Sequence, residues 1–212
     1  MFRYKFSLIF FVFLSTSISA QSEVYVYETF ADFQNDHGTA YDEFLSFSNA
    51  LAHVTLKFKK SGVKYRIKCA DIWGYSYKGV LFRVDQKLEQ PTRVICSNDD
   101  LVYYENGLAH MDMLRTNSPS GSFAIGYSCY FSKTINSQMF PVHNSPVSVV
   151  SKRYKDFMYE NPKLKPLESC IGNIYSYTHV RGCVMTFMGI ETPFSVEDAA
   201  HKFEKKKKKK KD

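Results

Sequence analysis

Glu105, His110 and Asp112 occur in the segment YYENGLAHMDML (Tyr103–Leu114), a carboxylate, an imidazole and a second carboxylate. Glycoside hydrolysis uses two carboxyl groups that flank the scissile bond. Glu105 paired with a distant Asp would form such a dyad, and only the fold brings the two together. If the segment is a strand, His110 and Asp112 share one face with Leu108 and Leu114 and present two ligands to a metal ion. A third ligand has no candidate, and a hydrogen-bonded or solvent-facing pair is the commoner use of that spacing.

His179 lies between Cys170 and Cys183, which raises a cysteine–histidine nucleophile. Such a pair needs the base within hydrogen-bond reach of a free thiol, and a bridged Cys170 has none. The chain has five cysteines, so at least one is left unpaired, and four of five can pair in several ways. Cys170 and Cys183 flank one compact segment and are the expected disulfide. A loop of that length contributes about 3 kcal/mol in the chain-entropy treatment. Cys69 and Cys129 fall on apolar strand faces, where a cysteine acts as a small hydrophobe. There is no nucleophile elbow, HExxH helix, phosphate-binding loop, dinucleotide fingerprint or paired CxxC. No catalytic residue, metal or cofactor is assigned, and the balance leans away from an enzyme. The candidate ligand-binding residues are Trp73, Tyr104, Glu105 and His110.

The elements that must position these groups are mostly strands. Aromatic residues make up 16% of the chain, a composition that favours pleated, half-buried surfaces. Val24–Glu28 reads as a first strand, with Thr29 capping a helical turn at Phe30–Gln34. Tyr41–Ala52 fits neither period and reads as irregular or briefly helical. Val54, Leu56 and Phe58 alternate with Thr55, Lys57 and Lys59. After a Ser61-Gly62 turn, Val63, Tyr65, Ile67 and Cys69 alternate with Lys64, Arg66 and Lys68. Two period-2 runs joined by a Gly turn predict a meander with one packed and one wet, basic face.

Val80, Phe82 and Val84 continue the alternation. Asn106-Gly107 predicts a type I′ hairpin joining Leu101–Tyr104 to Leu108–Leu114, with Trp73 and Tyr103 or Tyr104 as core anchors. A long strand runs through Phe123, Ile125, Tyr127, Cys129 and Phe131. From Ser145 the period becomes helical, and Ser145-Pro146 predicts a helix that ends at Asn161-Pro162. A short helix follows from Pro166 to Ile171. Val184, Thr186 and Met188 read as a strand or buried segment, and Ser195–Asp198 as the capping box of a terminal helix. The expected fold is α+β, mostly an antiparallel sheet of meander or sandwich type over about residues 54–131, with peripheral C-terminal helices.

Residues 1–20 carry Arg3 and Lys5, a short apolar run and a small-residue end, the layout of a cleaved export signal. The run is shorter than the roughly 20 residues a membrane span requires, so no transmembrane segment is expected in the mature chain. Residues 21–204 read as one β-rich domain and 205–212 as a disordered poly-lysine tail. The net charge of +7 belongs to the ends: the signal carries two positive charges, and Lys205–Lys211 with Asp212 carry six. The body is close to neutral, which excludes the clustered basic footprint of a specific nucleic-acid binder. The tail reads first as an ordinary solvated end, with attraction to anionic surfaces as the alternative.

IWGYSYKGVLFRV (Ile72–Val84) and LVYYENGLAH (Leu101–His110), together with the signal, resemble a group of small exported envelope proteins of Bacteroidota-type bacteria. The resemblance covers chiefly residues 54–114 and extends to Cys170–Asn173 and Arg181–Cys183. It implies a periplasmic or extracellular location and no activity. The expectation is therefore an exported, non-enzymatic structural or ligand-binding module whose partner is an envelope glycan, peptide or protein. A hydrolase of envelope glycan or peptide with a site built from dispersed residues is the alternative.

Overall fold

Two tight turns set the strand registers. Ser61 and Gly62 both take positive φ (49° and 82°), as do Lys78 and Gly79 (49° and 75°). That pair of left-handed residues is what a type I′ hairpin requires. The first turn joins β4 (His53–Lys60) to β5 (Val63–Lys68), and the second joins β6 (Gly74–Tyr77) to β7 (Val80–Asp85). A computed structural model describes residues 23–50, 53–85, 87, 89–116, 128–144, 149–175 and 177–190.

The fold is α+β, with strands paired antiparallel throughout. β1 (Val24–Tyr27), β2 (Thr39–Tyr41), β6, β7, β8 (Gln90–Ser97), β9 (Val102–Asn106), β10 (Cys129–Ser132) and β11 (Phe140–Pro141) form a sheet of eight. Its order is β11-β10-β9-β8-β7-β6-β1-β2. β3 (Glu43–Ala50), β4 and β5 form a separate sheet of three, so the expected single sheet over residues 54–131 is divided between two. The small sheet packs Phe44, Val54, Leu56 and Phe58 onto Tyr75, Tyr77, Phe82 and Val84 of the large one. Further along the large sheet, Tyr103, Cys129 and Phe131 receive helices α3 (Lys152–Glu160), α4 (Lys165–Ile171) and α5 (Tyr177–Met188). The register places Phe82, Arg93, Glu105 and Cys129 in one row across β7–β10, so both packings lie on the same face.

Several expectations hold. Thr29 caps α1 (Phe30–Gln34) in a reciprocal capping box with Asp32. α4 begins at Lys165 with Pro166 in its first turn. Lys57, Lys59, Lys64 and Arg66 form the outer, wet face of the small sheet.

Others are corrected. Residues 43–50 form a strand, and a bulge between Phe44 and Ser46 is what breaks their alternation. β5 is an edge strand that packs Ile67 into the core and sets Tyr65 edge-on against buried Tyr41, leaving Val63 55% and Tyr65 41% exposed. Asn106-Gly107 is not a hairpin, and neither residue takes positive φ. β9 runs straight into helix α2 (Gly107–Thr116), and the Asn106 carboxamide oxygen accepts from the Leu108 N–H at 3.0 Å as a cap. Leu108 and Met111, three apart, enter the core at helical spacing.

α3 starts at Lys152, because Val149-Val150 (β13) pairs with His143-Asn144 (β12) before the chain turns helical. Residues 184–188 are helical, with Val180, Cys183, Val184, Phe187 and Met188 at the spacing of one α5 stripe. The signal, the strand before Ser128, the Ser145-Pro146 helix start, the terminal helix and the lysine tail lie outside the described residues.

Candidate functional site

Glu105 stands at the seam between the two packings on the large sheet. The strand puts its side chain on the covered face, in the row between Arg93 and Cys129. α2 brings His110 over it and α5 brings Arg181. The carboxylate is fully buried. His110 Nε2 lies 2.8 Å from Oε2, Arg181 Nε donates to Oε1 at 2.6 Å, and the Tyr103 hydroxyl donates to Oε1 at 3.0 Å. A second Arg181 nitrogen donates to Oε2, completing a two-pronged guanidinium–carboxylate pair. Arg93 reaches His110 Nδ1 at 3.0 Å.

The charge states follow from these contacts. Burial pushes the Glu105 carboxyl up, but the hydrogen bonds from His110 and Arg181 and the charge of Arg181 outweigh it, and the group is held below its ordinary range. Burial lowers His110, and Arg93 and Arg181 add to that, against the pull of Glu105. A neutral ring fits its partners: with the proton on Nε2 it donates to Glu105, while Nδ1 accepts from Arg93. The site is a saturated ion pair with a neutral imidazole bridging Glu105 to a second arginine. Chemically it holds a charge; it does not present a base to a substrate.

The four candidate ligand-binding residues divide. Glu105 and His110 meet, whereas Tyr104 follows the alternation to the opposite face of the sheet. There its hydroxyl lies 2.7 Å from Ser132 Oγ, and Arg83 donates to it at 3.3 Å. Trp73 is buried, stacks on Phe33 of α1 with ring centroids 4.8 Å apart, and donates from Nε1 to Asn136. Asp112 is turned by the helix about 200° from His110, since each residue advances about 100°, and pairs with Arg115 at 2.7 Å. The shared strand face for His110 and Asp112 is thereby lost. Among the described residues, no group of three or more His, Cys, Asp and Glu side chains could hold a metal ion.

Cys170 and Cys183 are bonded, tying the end of α4 to the middle of α5. His179 therefore faces no free thiol there; its Nε2 lies 3.0 Å from the Cys170 carbonyl oxygen. Cys69, Cys96 and Cys129 are free, and burial pushes each thiol up to about 12. They are inert as nucleophiles at neutral pH.

Sequence reasoning missed Arg93 and Arg181. The available signal was Arg181 itself, a cation between Val180 and the apolar run Cys183-Val184-Met185, but its partner lies 76 positions away. Among the described residues, no helix is long and apolar enough to cross a membrane. No family model, curated protein or solved structure matches the chain.

Proposed function

We propose that this chain is an exported, non-enzymatic component of the cell envelope that works by binding a glycan, peptide or protein partner. The observation that carries the reading is the sealed state of Glu105, the strongest acid–base candidate in the sequence. Both oxygens are taken up by Arg181, His110 and Tyr103 below the surface. A hydrolase built on Glu105, His110 and Asp112 would need the first two uncovered and the third turned back towards them. The export pattern of residues 1–20, the resemblance to exported envelope proteins, and a disulfide, which persists in oxidising compartments, support the location.

Incubation with insoluble envelope glycan (peptidoglycan sacculi) tests the reading, with envelope peptide in parallel. Retention of the protein on one polymer, with no soluble fragments released, is the expected result. Release of soluble fragments from either polymer by the native protein would overturn it.

A further inference from the structure

α3, α4 and the turn after α4 line an open cleft of about 650 Å³. Three tyrosines line it: Tyr154, Tyr159 and Tyr175. Tyr159 is 87% exposed, a large ring held out into solvent on a helix. Tyr175 is half-buried and meets the Tyr154 ring edge-on at 6.5 Å. Lys155, Asp156, Glu168 and Asn173 also line it, an ammonium, two carboxylates and an amide that together donate and accept hydrogen bonds. The Cys170–Cys183 bond fixes the end of α4 next to Gly172-Asn173, so this rim is built on a stapled frame.

The floor carries an independent sign of a ligand. The Tyr154 hydroxyl is buried and has no hydrogen-bond partner among the described residues, a costly state for a polar group. Glu168 and Tyr175 are its charged and polar neighbours, and with burial they push the phenol up. Glu168 is itself partly exposed and pairs with Lys165 at 3.7 Å. Tyr154 itself lines the cleft.

We infer that this cleft is a saccharide-binding site for a neutral pyranose chain, stacked on Tyr159 and hydrogen-bonded by Asp156, Asn173 and the Tyr154 hydroxyl. An aromatic plate beside carboxylate and amide groups suits a ring with an apolar C–H face and a polar rim of hydroxyls. Lys155 lines the same cleft and Lys165 pairs with Glu168, so charges of both signs balance at the rim, which favours a neutral ligand over phosphates and sugar acids. The inference rests on the binding reading above and supplies its ligand class.

Isothermal titration with chitotriose and cellotriose as neutral probes, and trigalacturonic acid as the acidic one, tests it. The native protein is expected to bind a neutral trisaccharide at least tenfold more tightly than the acidic one. Tyr159→Ala is expected to weaken that binding about tenfold or more, the loss of a stacked aromatic anchor, with an unchanged melting temperature. Tyr154→Phe separates a ligand role from a structural one. It removes an unsatisfied buried hydroxyl, so the melting temperature should hold or rise while affinity falls. Sugar binding that survives both substitutions would overturn the site and leave the binding reading standing. No binding of either neutral sugar would likewise overturn the site. If sacculi and envelope peptides also failed to retain the protein, the broader reading would fall with it.

Discussion

At the scale of single residues, Glu105 decides more about this molecule than any other side chain. A buried carboxylate is costly unless paired and fully hydrogen-bonded. Here it receives donors from a strand neighbour, a helix that follows directly in sequence and a helix 76 residues on. Glu105→Gln keeps the shape but strands Arg181 as a buried cation. A loss of about 3–5 kcal/mol is expected on chemical denaturation, the usual cost of breaking a buried pair from one side.

His110 gives the same site a pH signature. Its folded-state pKa lies below the unfolded value of about 6.5, so the unfolded chain takes up the proton first. Stability is therefore complete above that pH and declines as the pH falls towards the folded value. Glu105 is also lowered, so its contribution holds above the unfolded value of about 4.3 and is lost only in stronger acid. His110→Gln keeps a donor for Glu105 and an acceptor for Arg93 but cannot titrate. A flatter dependence of melting temperature on pH between about 7 and 5 is expected relative to the native chain; an unchanged slope would assign the titration elsewhere.

At the scale of elements, the β9–α2 corner is where position overrides local signal. Asn-Gly prefers a hairpin when it is free to choose, yet here Gly107 passes directly over β8. A Cβ at that position would lie 2.5 Å from the Pro91 carbonyl oxygen. Glycine is required for close approach, not for a left-handed turn, and a single sequence cannot distinguish the two uses. Gly107→Ala should therefore destabilise by about 1–3 kcal/mol, as overpacking does, even though alanine is the better helix former. A neutral or stabilising result on denaturation would show that the corner relaxes.

The same logic explains which elements were legible. β4, β7, α1 and α4 carry one clean period or a complete cap, and they lie where that pattern places them. β3 hid behind its bulge. α2 and α5 hid because even spacings between their apolar residues, Leu108 to Leu114 and Val184 to Met188, also fit a strand's period of two. The disulfide could be read from spacing, and Glu105 and His110 from chemistry. Arg93 and Arg181 could not, since their meaning comes only from the strand register and from the helix laid across the seam.

At the scale of the whole molecule, charge is segregated from fold. The body is nearly neutral and buries Arg181 at Glu105 and Arg83 beside Tyr104, while the chain's net charge of +7 comes from its ends. Lys205–Lys211 offers seven like charges with no apolar residue among them, a composition that cannot bury surface of its own. Near an anionic surface each lysine would contribute about 1 kcal/mol. That attraction must fade as the Debye length shrinks from about 10 Å at 0.1 M salt to about 3 Å at 1 M. Truncation after Glu204 should leave the melting temperature unchanged and remove a salt-sensitive share of adhesion to anionic vesicles. Adhesion is read by co-sedimentation across a salt series and stability by thermal unfolding. A marked drop in stability would mean that the lysines dock against acidic groups of the body such as Asp156 and Glu160. The tail would then belong to the fold, and the proposed division between a neutral binding domain and a charged tether would fail.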